Sequence, residues 1–497
     1  MSDFFDELAE TAERGLELWE SPSVALGVTY RGETVFSGAF GRRDAERGLP
    51  ADARTLYQIA SCTKAFTAAL AAQLVDEGAL DWDTPVREYL PEVRFYDEYA
   101  TRMVCVRDLL CHRTGLPRHE YSWYGTGYTR QDIVSNLRFL EPNRPLRTTF
   151  QYNNQCYVLA GCVLERLTGR SFEDLLRERI LEPLGMARSR LYVDDLAEDP
   201  DRAVGYGRPD GADPLHGCVP IPYYRTPVED RAAGAGSPFA PAGCISSCVE
   251  DLLGWARLHL GDASAPEGVL SPRALATLHA PQMLLDEPLG MPAPERTFPC
   301  YGLGWFVESY RGRVLVQHSG NIDGFSAFVG LVPELDLGVI ALTNMNGSLV
   351  HTALAHEVMD HFLGVSSGNW VDRYHDHAMR RAEKDAGMVA RLTGERTAGT
   401  SPSHSLADYA GTYARPGYEP ARVSLADGRL ALDFNGWHVP LTHFSYDTFT
   451  LDDVLGELPP GIPAHFRLAE AGGAVDGLAL PLNPEPGCDL VRFRRVG

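Results

Sequence analysis

The stretch Tyr57-Gln58-Ile59-Ala60-Ser61-Cys62-Thr63-Lys64-Ala65-Phe66-Thr67, which runs on into an Ala-rich apolar segment ending at Leu74, decides how the rest of the chain is read. From Thr63 onward, strong helix formers and apolar residues recur at helical spacing. This predicts a buried helix with Ser61 at its first turn and Lys64 one turn later. A hydroxyl placed there feels the positive end of the helix dipole, its own N–H can help bind an oxyanion, and a lysine three residues on shares its face. The motif S-x-x-K therefore reads as an activated serine with a built-in base. Alone it is weak, because about one such match is expected by chance in a chain of this size. The bland alternative is a capped helix with a surface lysine.

With 497 residues, 44% hydrophobic and 10% aromatic, the chain can build a full core in two or three domains. Its 45 Lys and Arg against 67 Asp and Glu give a net charge of -22, which argues against nucleic acid or an anionic membrane as partner. The acidic start, Met1 to Leu8, is unlike a signal peptide, and no run is long and apolar enough to span a bilayer, so a cytoplasmic location is expected. Ten cysteines without a C-x-x-C pair predict reduced core residues and no disulfide framework. Cys62, about 100° around the helix from Ser61, is expected to pack.

Along the chain, an amphipathic helix over 3–20 precedes a hairpin of Val24 to Tyr30 and Glu33 to Phe40. A short helix from Val106 stops near Gly115 and Pro117, and a longer one runs from Asn153 and its neighbours to Leu167, with Gly169 as its stop. A second helix is expected over about Ser171 to Ile180. Residues 200–245, rich in Gly, Pro and aromatics, form an irregular excursion suited to lining a cleft. After a helix from Val249 to Leu260, a strand series begins at Tyr301 to Trp305 and continues through Val314 to His318, Ser326 to Gly330 and Leu337 to Thr343. Helices follow near Leu349 to Leu363 and over 370–393. Short strands over Ala421 to Leu425, Arg429 to Phe434, Trp437 to Phe444, Ala464 to Ala469, Gly477 to Leu482 and Leu490 to Arg494 then predict a small antiparallel barrel. The pair His356 and His361 mimics H-E-x-x-H with one residue too many. At i and i+5 the rings diverge by about 140°, so no metal site is expected.

Three spaced signals, Ser61-Cys62-Thr63-Lys64, Tyr152-Asn153-Asn154 and His318-Ser319-Gly320, together resemble the S-x-x-K serine hydrolases related to class C β-lactamases and penicillin-binding proteins. His112-Arg113-Thr114-Gly115-Leu116 and Glu182-Pro183-Leu184-Gly185-Met186 belong to the same likeness, and the tail resembles the lipocalin-like barrel that follows many such hydrolases. The implied class is α/β: a β-lactamase-like domain over 1–365 (antiparallel sheet flanked by helices, plus a helical subdomain), a helical linker over 366–404, and an all-β barrel over 405–497. The resemblance implies Ser61 as nucleophile, Lys64 and Tyr152 as its proton-transfer pair, and His318 where many relatives carry lysine. It also implies Asn154 on the substrate amide, with Gly320 and Asn321 at the oxyanion site. The lysine-to-histidine departure disfavours β-lactam hydrolysis. No cofactor is implied.

What resolves the acyl-enzyme is open at this level. Water makes a D-aminopeptidase-like peptidase, amidase or esterase. An amine at the far end of the acyl chain makes a penicillin-binding-protein-type thioesterase, which releases and cyclises a nonribosomal peptide carrying a D-residue and has a peptidyl carrier protein as partner. The absence of an export signal favours the second on sequence, with a small-molecule or peptide substrate in either case. A non-catalytic receptor is disfavoured by the joint presence of Ser61, Lys64, Tyr152 and His318.

Overall fold

The computed structural model describes residues 2–208, 217–230, 235–263, 265–288, 290–394, 396–455, 458, 460–470, 473–483 and 487–496. Of the irregular excursion read over 200–245, residues 209–216 and 231–234 lie outside the described residues, as does residue 395 of the linker.

Strand β1 (Ser23–Tyr30) is buried almost along its whole length, which explains why its sequence is a continuous apolar run instead of an alternating one. Its two faces meet different layers. Val24, Leu26 and Val28 pack with Leu8, Leu16, Val350 and Leu354, from the opening helix α1 (Ser2–Trp19) and a late helix (Val350–Phe362). Ala25 packs on the opposite side with Val249 and Leu253 of a third helix (Val249–Leu260). Gly27 lies on that second face, where a Cβ would sit 2.4 Å from Val249, so the helix approaches closely only because no side chain is there.

Around β1 the sheet has nine strands among the described residues. These are β2 (Glu33–Asp44), β3 (Leu49–Pro50), β4 (Met283–Leu284), β5 (Arg296–Tyr301), β6 (Phe306–Tyr310), β7 (Arg313–Ile322), β8 (Phe325–Val332) and β9 (Leu337–Thr343), in the order β3-β2-β1-β9-β8-β7-β6-β5-β4. The hairpin read at the start of the sequence thus joins the late strands through β1 and β9, antiparallel, with Val24 opposite Thr343 and Tyr30 opposite Leu337. The segment read as the first strand of the late series, Tyr301 to Trp305, is instead mostly a turn. Residues 302–305 connect β5 to β6 and press against the Ser61 helix, where a Cβ on Gly304 would lie 2.8 Å from the Lys64 carbonyl.

The second layer is the helical subdomain. Its centre is helix α2 (Thr63–Asp76), in which Thr63 to Ala72 are all buried. A helix apolar all round is one that the fold surrounds on every side. Phe66 stacks on Trp255 at 3.7 Å, tying α2 to the helix that lines the sheet. The helix expected from Ser171 begins at Phe172 and passes at Arg177 into a π-helical turn ending at Leu181.

At the C-terminal end, eight strands between Gly411 and Arg495 close into an antiparallel barrel. Two of them, Gly411–Ala414 and Thr448–Leu451, fall outside the strand series expected from the sequence. They are four residues each, too short for a period-two pattern to stand out. The barrel docks on the helical layer: the Tyr121 hydroxyl donates to the Leu455 carbonyl at 2.6 Å, and Asn435 Nδ2 donates to the carbonyls of Tyr121 and Tyr124 at 2.8 Å each. No helix among the described residues is long and apolar enough to cross a membrane.

Candidate active site

Ser61 lies on a single 3₁₀ turn, Ala60–Cys62, that leads into α2, and not in the first turn of the helix itself. Ala60 enters it with φ of +47°, a conformation costly for a residue with a side chain, and the surrounding hydrogen bonds hold it there. The Ile59 N–H donates to the Ile245 carbonyl at 2.9 Å, and the Ile245 N–H returns to the Thr63 hydroxyl at 3.2 Å. On the other side the turn abuts β7. A Cβ on Gly320 would fall 2.1 Å from the Ile59 carbonyl oxygen, so only glycine allows the strand to lie this close.

Strand β7 is paired with β6 only from Arg313 to Gln317. From His318 to Ile322 it runs beyond the end of β6 while still paired with β8. A stretch of strand edge is thereby left beside Ser61, where an extended peptide can add main-chain hydrogen bonds.

The Lys64 side chain is fully buried, with Nζ 3.0 Å from Ser61 Oγ and 2.9 Å from the Ala242 carbonyl. Burial pulls its ammonium well below the usual lysine value. The Glu120 charge opposes this and that of Arg118 adds to it. Burial thus favours the neutral, basic form of the amine. Tyr152 covers it, with the ring centre 4.8 Å from Nζ. Burial raises the Tyr152 phenol above its ordinary value, and a hydrogen bond with Ser61 partly offsets that. Cys62, beside Ser61, turns away: its Sγ donates to the His318 carbonyl at 3.4 Å, and burial pushes the thiol up to about 12.

His318 is buried and held at both nitrogens. Nδ1 lies 2.6 Å from the Ser319 carbonyl, so it carries the proton, and Nε2 accepts from the Tyr301 hydroxyl at 3.0 Å. Burial, with Lys64 adding, lowers its pKa to about 3. The ring is a neutral dipole at this position and not a substitute for the positive charge of a lysine. Asn154 opens its helix (Asn154–Thr168) and donates to Glu120 Oε1 at 3.0 Å, while Asn153 caps that helix by accepting from the Cys156 N–H at 2.9 Å. Asn321 is exposed, its side-chain oxygen accepting from Ser326 Oγ at 2.9 Å and from the Gly347 N–H at 3.3 Å.

Lys64 and Tyr152 thus meet beside Ser61, the His318 ring lies 6.3 Å from that of Tyr152, Gly320 abuts the Ser61 turn with Asn321 next to it on β7, and Asn154 joins Glu120, whose charge acts on Lys64. Several others at the site carried no sequence signal: the Ala242 carbonyl, Tyr301, and the pair Arg118 and Glu120, whose Nε and Oε2 lie 3.2 Å apart. A backbone carbonyl has no residue signature, and Glu120 meets Asn154 across 34 residues of chain. His356 and His361 do go separate ways: His356 is buried against Trp370, and His361 stacks on Phe4 at 3.7 Å.

A family model described as Beta-lactamase matches residues 11–362. The chain belongs to the beta-lactamase family. In this member of the family, residues 395–495 match a second model, a domain of unknown function designated DUF3471. The unguisins hydrolase of Aspergillus violaceofuscus is 30% identical to this beta-lactamase-family chain over 502 residues, covering 95% of it and 86% of the fungal protein. Among solved structures, the octameric penicillin-binding protein homologue from Pyrococcus abyssi superimposes with a TM-score of 0.63 at 22% identity, covering 99% of both chains. The D-amino acid amidase of Ochrobactrum anthropi, solved with L-phenylalanine amide, gives 0.56 at 23% identity, covering 77% of this chain and 99% of that one.

Proposed function

We propose that this chain is a serine hydrolase that cleaves peptidyl amides or esters through an acyl-enzyme on Ser61. The observation that carries this reading is the 3.0 Å contact between Ser61 Oγ and the buried Lys64 amine. Ser61 Oγ attacks the carbonyl carbon and its proton passes into the Lys64 and Tyr152 pair. The N–H groups of Ser61 and Asn321 take the oxyanion, which the close packing at Gly320 permits. Collapse breaks the bond to the leaving group, which departs with a proton returned through Tyr152. Water, deprotonated by the same pair, then attacks the ester and frees the acid and Ser61. His318 keeps the strand edge polar and neutral, and Asn154 meets the amide of the acyl part.

Water as the second nucleophile is favoured by the fungal relative, a hydrolase similar along nearly the whole of this chain. Macrocyclisation of a peptidyl thioester with a D-residue, favoured on sequence alone, uses the same acyl-enzyme, and a peptidyl carrier protein becomes a partner only in that case. Mass spectrometry of the products from a linear peptidyl thioester ending in a D-residue tests both. Free acid made by the wild type and not by Ser61→Ala supports hydrolysis. Cyclic product would replace it with transacylation, and product from Ser61→Ala would remove the nucleophile assignment.

A further inference from the structure

Asp323 stands in the turn between β7 and β8, two residues beyond Asn321, and is half-buried. Both its oxygens lie 2.8 Å from a single donor, the Tyr124 hydroxyl. A carboxylate has about four acceptor positions, so most of its capacity is unused. Other sequestered acids of this chain are better provided for. Asp108 takes Arg113 and Arg147, Glu308 takes Arg296, and Asp360 takes Arg311, while Asp251 and Glu357 accept backbone N–H groups. Among the described residues Asp323 has neither a cation nor a backbone donor. Burial accordingly raises its pKa.

Its surroundings suit a cation. Tyr124 stacks on Tyr224 at 4.8 Å, and Tyr224 feels the charges of both Asp323 and Glu120. Glu120 is engaged by Arg118 and Asn154, and Glu229, which also acts on Tyr224, accepts from the Val193 N–H, whereas Asp323 has the Tyr124 hydroxyl as its one donor among the described residues. The segment carrying Tyr124 is in turn fixed by the barrel. Asn435 donates to its carbonyls, and Trp437 lies against Gly125, where a Cβ would come within 2.8 Å of the indole. Trp437 also packs on the Tyr124 ring at 5.4 Å.

We propose that Asp323, flanked by the rings of Tyr124 and Tyr224, binds a protonated amine of the peptide substrate, and that the barrel turn Asn435 to Trp437 holds this site in place. An ammonium supplies the donors that the carboxylate lacks. The inference rests on the reading of Ser61 as the acylated residue and adds a substrate class: peptides with a free amine near the scissile carbonyl.

Matched p-nitroanilides of D-alanine and glycyl-D-alanine, each with its amine free or acetylated, test it in the full-length protein. The wild type is expected to prefer the free amine in at least one length. Asp323→Asn should lower kcat/KM for that substrate by roughly ten- to a hundredfold, the range of one charge-assisted hydrogen bond, and leave its acetylated partner unchanged. Trp437→Ala should give a smaller loss on the same substrate. An equal fall on both partners would make Asp323 structural and overturn the proposal. A wild type indifferent to, or inactive on, the free amines would overturn it as well. The p-nitrophenol burst from p-nitrophenyl acetate separates the two levels: its absence removes the acyl-enzyme reading and the amine site with it, whereas a burst without amine preference removes the amine site alone.

Discussion

The Lys64 nitrogen lies 4.8 Å from the centre of the Tyr152 ring and 5.3 Å from that of Tyr157. Two aromatic faces thus cover the amine next to Ser61. They exclude water from it, so its proton affinity is set by the protein and not by solvent.

Tyr152→Phe keeps this ring contact, along with the packing of His112 at 4.3 Å, and deletes only the hydroxyl. Acylation by p-nitrophenyl acetate should fall by roughly a hundred- to ten-thousandfold with the melting temperature unchanged, as measured by the burst and by thermal unfolding. A full burst at the normal rate would remove Tyr152 from the proton path.

Lys64 also gives a prediction for stability. Its folded pKa is depressed, so between that value and the ordinary 10.5 the unfolded chain holds a proton that the folded chain lacks. Folding is therefore penalised throughout that window, and the penalty disappears as pH rises past 10.5. Lys64→Met should abolish acylation and yet raise stability at pH 7 by about 1 kcal/mol in denaturant titrations, a gain that shrinks steadily as pH rises toward 10.5. Lower stability at pH 7 would count against a neutral, buried lysine.

Seven histidines, six buried and His279 half-buried, add an acid limit. His112, His119, His259, His279, His318, His351 and His356 all have lowered pKa values, first through burial. Each is neutral in the fold and takes a proton on unfolding below about 6.5. Its contribution is complete above that pH and is lost toward the folded value, about 4 for His119, His279 and His351 and about 3 for His318 and His356. Each contributes up to about 1.4 kcal/mol per pH unit. Denaturant midpoints should therefore drop steeply between pH 6.5 and 4.5; a flat profile would mean these rings are hydrated.

Gly320→Ala places a methyl group 2.1 Å from the Ile59 carbonyl, and both partners are backbone, so neither can swing aside. Separation of β7 from the Ser61 turn should cost roughly 1–3 kcal/mol and most of the activity. Full activity would show that the strand need not approach Ser61 this closely.

Asp360→Ala tests the packing on the far side of the sheet. This buried carboxylate accepts from Tyr310, Arg311, the Gly368 N–H and Trp370 Nε1, joining β6 to the segment after the Val350–Phe362 helix. The expected loss is about 3 kcal/mol, at the low end for a broken buried pair, because the Arg311 side chain keeps 23% exposure to water. The p-nitrophenyl acetate burst should survive below the unfolding temperature.

Local relationships are the ones that could be read directly. Ser61 and Lys64 are three residues apart on a turn and helix, so spacing alone put them on one face, and the apolar run after Thr63 announced a surrounded helix. The long alternating strands of the barrel were legible for the same reason, whereas its two four-residue strands carried too few residues to show a period. Tyr301 to Trp305 misled because its apolar residues serve a turn packed on α2, and burial leaves the same compositional mark on a turn as on a strand.

By itself the sequence determined the order of the elements, the placing of Ser61 and Lys64 on one face, and the joining of a hydrolase-like sheet to an all-β tail, because periodicity and short-range spacing encode these. Tertiary structure alone decided that His318 is neutral, that Glu120 reaches Asn154, that the Ala242 carbonyl receives Lys64, and that a barrel turn grips the segment carrying Tyr124. The physical reason is common to all four. Desolvation and hydrogen bonding depend on which distant atoms exclude water from a group, and that is fixed only when the layers close on one another.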